Sequence, residues 1–471
     1  METLYNALLG ELVGRSISFL VSRYGSQPAT AAAAVREEHL QRLRLLLLRT
    51  GTIVEEAEGR HVANRAALRR QLEALRDEMF RGHHVLDIFR YHAGRRPAGG
   101  VDASRRVDGD GKEAMNRARV FDPSRSNPAK RVRRLRLSPD DDDPELERVV
   151  LNLEAMVGDT KELVVFLMSC PPLHRQPYSA HIFVDKCMFG RHAERDRVIE
   201  FLLQSDPPDA ANPGVLPIIG PALIGKSTLV EHVCNDERSN DASGDERWLI
   251  VIELSGDVDD GTWKRLYSSG RRCMAKGSKL IVTSRSEKIA RFGTTHSLRL
   301  KCLSMEAFWY YFKLLVFGST DPDEHPKLAS IAMEMAVAIQ GSFIGACICA
   351  AIMRVDFDTQ YWCMILKRVR EYMQKNLILF GEYPDDLKAM DQPRYTWSMV
   401  KPVPDEYFLL YGVYQRGVVR EDALPKVTVV DLMTGRAQKP RGRFEVLYWK
   451  SAVPPYFSYI CPCEVTQVSD M

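Results

Sequence analysis

Gly220-Pro221-Ala222-Leu223-Ile224-Gly225-Lys226-Ser227-Thr228 satisfies the pattern G-x-x-x-x-G-K-[ST] at every fixed position, and an apolar run over 215–219 leads into it. A buried strand opening into such a loop is the layout of a phosphate cradle. Glycines let several backbone N–H groups face phosphate oxygens, Lys226 brings a point charge, and the Ser227 hydroxyl can ligate Mg²⁺. Residues 228–233 continue at helical spacing. The competing reading is an ordinary strand-to-helix turn that keeps its glycines for shape alone.

Working outward, 248–254 and 279–285 read as two further strands, with a helical stretch over 263–272 between them. Strands alternating with helices argue for a parallel sheet covered on both faces. Upstream, residues 144–165 read as a helix or helix pair and 182–184 as a short strand. Phe189-Gly190-Arg191 then introduces an amphipathic helix over 197–203 that stops before Pro207-Pro208.

Nucleotide hydrolysis needs an acid at the end of a strand beside the loop to hold magnesium, and often a second acid to activate water. The strand over 248–254 ends in Glu253-Leu254. Glu253 is the candidate metal-holding and catalytic acid, Ser227 the candidate second metal contact, and Leu254 stands where a second acid would help. The other reading of Glu253 is a carboxylate that merely closes a strand at the surface. Asp257, Asp259 and Asp260 follow closely and could compensate. Arg285, at the carboxyl end of the 279–284 strand, is placed to sense a terminal phosphate, or is a plain surface cation. Elsewhere no local pattern links a nucleophile to a base.

Residues 1–92 read as helical. Leu40, Leu43, Leu47, Thr50 and Val54 recur near every 3.5 positions, and Leu68, Leu72, Leu75 and Met79 form a second stripe. Gly51, Gly59 and Gly82 interrupt the pattern, which favours a small antiparallel bundle over a long dimeric coil. Residues 94–145 are rich in Gly, Pro, Arg and Asp and lack the apolar surface to offset ordering entropy. They read as a disordered charged linker, with a basic block over 130–136 beside the acidic 140–143. Residues 304–374 are helical almost throughout, and their aromatic stripes read as core. The tyrosine-rich 394–471 alternates at Val427/Val429 and Phe444/Val446, with turns at Thr434-Gly435 and Pro454-Pro455, as in a small β-rich module.

The 471 residues exceed one core, and 45% hydrophobic with 27% charged residues is a soluble globular balance. The ten cysteines fall without a C-x-x-C pair, so the two C-x-C pairs read as reduced thiols rather than a metal site or disulfide framework. Glu2, Glu11 and Arg15 break the first apolar run, and no uncharged stretch is long enough to cross a bilayer. An intracellular protein, cytoplasmic with the nucleus as alternative, is expected.

The loop, the hydrophobic strand ending in an acid, the Phe189-Gly190-Arg191 helix and Gly277-Ser278-Lys279-Leu280-Ile281-Val282-Thr283-Ser284-Arg285 together resemble plant intracellular immune receptors of the NB-ARC, leucine-rich-repeat class, in particular a grass-type subgroup. The resemblance spans roughly residues 1–375. It implies a coiled-coil domain over 1–93, with Leu86-Asp87-Ile88 echoing that domain's acidic signature, and a P-loop α/β domain over 146–300 with its lead-in. A helical domain over 301–393 and the β-rich module over 394–471 follow. It further implies an ADP/ATP switch in plant defence, with Gly220, Gly225, Lys226, Ser227 and Thr228 binding phosphates, Mg²⁺ as companion ion and Arg285 as sensor. Partners are then other proteins met through the N-terminal helices, related receptors among them, and nucleic acid is not expected.

The chain also departs from that family. Only 235–247 separate the loop helix from the acid-bearing strand, too few for the usual β-α unit, so one sheet edge should stay unpaired. The paired acids become Glu253-Leu254, the proline of a nucleotide-contacting phrase is missing near 339–346, no His-Asp motif is legible, and no leucine-rich repeat occurs. ATPase activity is therefore expected to be weak or absent. Two alternatives stand beside a nucleotide-binding switch or helper: an active NTPase, and a scaffold that no longer binds nucleotide.

Overall fold

The computed structural model describes residues 31–58, 66–92, 142–170, 188–204, 213–234, 248–254, 256–275, 277–339, 341–384, 392–400, 406–416, 423–436, 442–451 and 457–467, with Arg60 and Leu387 besides. The readings made of residues 1–30, most of the 94–145 linker, the 182–184 strand, the 235–247 gap, Gly59 and Pro454-Pro455 lie outside these residues.

Two long helices, α1 (Ala31–Glu58) and α2 (Ala66–His92), open the described chain. Both leucine stripes are buried as their spacing requires, Leu43 and Thr50 completely. Gly51 and Gly82 do not break these helices but lie inside them. At Gly82 the reason is close approach: an added Cβ would sit 2.8 Å from Leu47 Cδ2, with Leu153 and Leu43 close behind. Leu153 belongs to α3 (Asp142–Gly158), which is followed by α4 (Thr160–Met168). The fully buried Val149 and Leu153 of α3 join the same apolar cluster as the α1 and α2 stripes. The lead-in to the nucleotide loop thus begins as part of the N-terminal bundle.

Helix α5 (His192–Leu203) precedes the α/β region. Its strands are β1 (Gly214–Ile219), β2 (Leu249–Leu254), β3 (Lys279–Ser284) and β4 (Leu298–Arg299), all parallel, in the order β2-β3-β1-β4. Beyond the loop, α6 (Lys226–Cys234) joins α5 on one face, through Val198, Phe201, Leu229 and Val233. On the other face, α7 (Asp260–Cys273) and a 3₁₀ turn over Glu287–Phe292 stack Trp263 on Phe292 with ring centroids 4.5 Å apart. The sheet is therefore covered on both faces. β1 and β3 are buried at every position, as central parallel strands must be, while β2 pairs only with β3 among the described residues and leaves Val251 45% exposed.

The helical region comprises α8 (Met305–Phe317), α9 (Pro326–Ala338), α10 (Phe343–Met353) and α11 (Thr359–Phe380). Each is started by local chemistry: Ser304, Ser342 and Asp358 cap the N-termini of α8, α10 and α11, and Pro326 opens α9. The Phe308, Phe312 and Leu315 face and the Ile331, Met335 and Ile339 face are core, as read.

The C-terminal part is an antiparallel sheet of β5 (Arg394–Thr396), β6 (Glu406–Leu410), β7 (Tyr414–Arg416), β8 (Arg443–Lys450) and β9 (Ser458–Gln467). The Val427/Val429 alternation is not a strand. Thr428 and Asp431 form a reciprocal capping box, so Val429 opens the short helix α12 (Val429–Thr434), which Gly435 ends in a left-handed conformation.

Helix α2 joins these parts. Asp87, almost fully buried, accepts from Trp309 Nε1 at 2.8 Å and pairs with Lys313 at 2.5 Å, both on α8. Arg90 and the Tyr91 hydroxyl both reach Asp323, each at 2.7 Å. At its other end, Arg69 pairs with Glu200 of α5 at 2.5 Å. Phe189 packs against Phe80 of α2 and against Tyr310 and Tyr311 of α8, and one connected apolar core runs from the bundle through the helical region into the C-terminal sheet.

Candidate functional site

The loop over 220–225 leaves the carboxyl end of β1, between β3 and β4 in the sheet, and α6 starts at Lys226. This is the crevice position at which open α/β sheets bind ligands. Gly225 holds φ +94, a conformation that a side chain would strain, and the place where its Cβ would stand is open space. Leu223 adopts φ 57, left-handed without being glycine. Such strain is concentrated at ligand clamps.

Lys226 is buried, and its Nζ donates to the carbonyls of Gly220 at 2.9 Å and Pro221 at 2.8 Å. An ammonium has three donors. Two brace the loop's own start, which leaves one for a further acceptor. Burial pushes the Lys226 pKa down to about 8; the Glu253 carboxylate opposes this and the Arg285 guanidinium adds to it. An anion seated on the loop would reverse that loss, because an opposite charge favours the charged form.

Ser227 Oγ donates to both oxygens of Glu253, at 3.2 and 3.3 Å. The two candidate metal-holding groups are therefore brought together across α6 and β2. With an open seat at Gly225, a buried ammonium and this hydroxyl–carboxylate pair, the residues fit a nucleotide phosphate chain and a hard divalent cation. Burial pushes the Tyr459 phenol, on β9, up from its ordinary pKa; the Thr228 hydroxyl opposes this and the Glu253 carboxylate adds to it. Arg285 is exposed just past β3, on the same sheet edge. Leu254 packs among the apolar residues of the α7 face, and Ser284 Oγ donates to its carbonyl at 3.1 Å.

The three aspartates that could have replaced a second acid are engaged elsewhere. Asp257 accepts from Ser286 Oγ at 2.6 Å and pairs with Lys288, contacts that hold its carboxyl below the usual range. Asp259 caps α7 through the Thr262 amide at 2.9 Å, and Asp260 pairs with Arg291 at 2.9 Å. Each has a local structural task.

No family model matches the chain. Among curated proteins it is 24% identical over 220 residues to "Disease resistance protein RGA2" of Solanum bulbocastanum, covering 36% of this chain and 22% of that protein. It is 24% identical over 266 residues to "Putative disease resistance protein RGA1" of the same plant, covering 46% of this chain and 27% of that protein. With "Putative disease resistance RPP13-like protein 1" of Arabidopsis thaliana it shares 22% identity over 386 residues, covering 70% of this chain and 34% of that protein. The chain thus spans between about a fifth and a third of these relatives' length. They agree with the NB-ARC resemblance carried by the loop and the 277–285 phrase. No helix among the described residues is long and apolar enough to cross a membrane.

Proposed function

We propose, for this relative of the plant disease resistance proteins, that it binds ADP or ATP on the 220–228 loop and acts as a nucleotide-dependent switch or helper in defence. The observation that carries this reading is the Lys226 ammonium: buried, braced by the carbonyls of Gly220 and Pro221, and with one donor beyond those two bonds. Gly220 and Gly225 shape the seat, Ser227 and Thr228 supply hydroxyls at the head of α6, and Arg285 supplies a cation at the rim. Ser227 and Glu253 would hold Mg²⁺, which when bound neutralises charge on the phosphate oxygens.

Hydrolysis should be slow. Activating water needs a carboxylate free to take its proton, and the chain offers Glu253, shared with Ser227, where Leu254 fills the neighbouring place. Signalling then proceeds by binding and exchange, with the N-terminal helices as the surface met by protein partners.

The test is isothermal titration of the full chain with Mg-ADP, alongside Lys226→Ala. Loss of the charged donor should weaken binding by about 1.5–3 kcal/mol. Undetectable binding by the unaltered chain would leave a scaffold that has lost its ligand.

A further inference from the structure

The two edges of the parallel sheet are finished differently. β4 closes one side with Leu298–Arg299 alone, and a short charged strand offers little to a further strand. β2 closes the other with Leu249-Ile250-Val251-Ile252-Glu253-Leu254, matched one to one with β3 and without a bulge. It carries no Lys, Pro or Gly, the residues that commonly guard an open edge. Among the described residues no strand lies beyond it. Val251 is 45% exposed there, and Trp248, just before the strand, is 52% exposed.

Backbone direction fixes what this edge presents. The Trp248 amide donates to Ser278 Oγ at 3.1 Å, and its carbonyl accepts from the Lys279 amide at 2.9 Å, so Trp248 turns both groups toward β3. Successive residues of a strand turn their backbone groups to opposite sides. Ile250, Ile252 and Leu254 therefore bond inward, as the Leu254 carbonyl does in accepting from Ser284 Oγ. Leu249, Val251 and Glu253 hold their N–H and C=O groups toward the open side. These are the groups to which another strand adds.

The stretch just before β2 is ill suited to supply that strand. Over 235–247 Ala242 is the sole apolar residue, and the Asp, Asn, Ser and Gly that prevail are depleted in strands. A second β2 fits better. Laid antiparallel about a two-fold axis at Val251, it opposes outward residues to outward residues: Val251 meets the second copy's Val251, and Leu249 meets its Glu253. Every outward N–H and C=O of both strands is then bonded. Between these pairs Ile250 faces the second copy's Ile252, and Trp248 faces its Leu254, so the exposed indole gains an apolar neighbour. A slip of one residue sets outward groups against inward ones. Slips of two leave outward groups unpaired at the strand ends, and opposing the two Glu253 carboxylates sets like charges face to face. The one charge on the strand falls opposite leucine, and β2 is complementary to itself in a single register.

We propose that the β2 edge is the interface of a homodimer, in which two copies pair Leu249–Leu254 antiparallel about Val251 and join their sheets into one. The closed two-fold arrangement leaves no free copy of this edge and so stops at two chains. It is made by backbone groups and apolar side chains, and it stands independently of the nucleotide reading.

The experiment uses the full chain, without nucleotide, and follows mass by sedimentation velocity and amide exchange over 249–254 across a concentration series. The mass should double as concentration rises, and exchange over 249–254 should slow with it. Val251→Lys and Val251→Glu each place like charges opposite one another at the axis and should be monomeric where the unaltered chain is paired. Mixed in equal amounts they should pair again, since the charges across the axis are then opposite. Val251→Thr, β-branched and uncharged, should still pair. An unaltered chain that stays monomeric overturns the proposal, whatever else its edge takes up. So does a dimer that survives Val251→Lys, or a Lys and Glu mixture that stays monomeric. Should the charged variants melt early, the unaltered chain decides: a doubled mass with exchange over 249–254 indifferent to concentration puts the contact on another face and overturns the proposal.

Discussion

Raising the pH should weaken ADP binding in a window set by one amine. Burial lowers the Lys226 pKa to about 8 in the unliganded chain, and only the ammonium can serve the phosphate. The anion raises the bound pKa above that of the free site, so binding takes up a proton. Affinity is accordingly full below pH 8 and declines as pH rises through 8 toward the bound value. With a pKa of about 8, roughly nine in ten free loops carry the charge at pH 7 and roughly one in ten at pH 9. Apparent Kd should therefore rise about tenfold between these values, or about 1.4 kcal/mol. A phosphate's last proton leaves near pH 6, well outside this window. The assay is isothermal titration with Mg-ADP from pH 6.5 to 9.5, repeated in buffers of different ionisation enthalpy to count protons. Wild-type affinity that stays flat across pH 8, or a slope that persists in Lys226→Ala, would refute the assignment of Lys226 to the phosphate.

Other predictions test separate joints. Asp87→Ala should leave Lys313 and Trp309 facing a buried vacancy, at about 3–5 kcal/mol for breaking a buried pair, read by thermal or urea melting; an unchanged midpoint would count against a buried role. Gly225→Ala meets no steric neighbour, so its cost comes from φ +94 alone. About 1–3 kcal/mol of backbone strain should appear as weaker ADP binding, and equal affinity would mean that the loop tolerates another conformation. Glu253→Gln keeps an oxygen for Ser227 but loses the charge a cation needs. The gain in ATP affinity on adding Mg²⁺, measured against EDTA, should shrink or vanish, and an undiminished gain would remove Glu253 from the cation site.

Much of the fold could be read from the chain because its signals are local. The strand before Gly220 is apolar at every position from 215 to 219 and the 279–284 run has Leu280-Ile281-Val282 at its centre, as strands buried on both faces require, and the Leu40 and Leu68 stripes repeat at helical intervals. The readings that differed depended on tertiary neighbours. Gly82 looked like an interruption, yet its missing side chain makes room for Leu47 and Leu153. Val427 and Val429 alternated like a strand until the Thr428–Asp431 box claimed the backbone for a helix. The same divide runs through the site. The pattern around Lys226 announces phosphate chemistry, but the use of Asp257 and Asp259 as local fasteners follows only from packing.

Helix α2 grips α5 through Arg69 and α8 through Asp87 at points about five turns apart. It is a splint laid across the joint between the sheet and the helices beyond it. A stiff rod fastened at two places prevents either body from swivelling unless one fastening lets go first. The Arg69–Glu200 pair has a carboxylate open to water, whereas Asp87 is sealed in, so the weaker clasp is on the sheet side. Salt should loosen that end first, leaving the bundle riding on the helical region as a single piece.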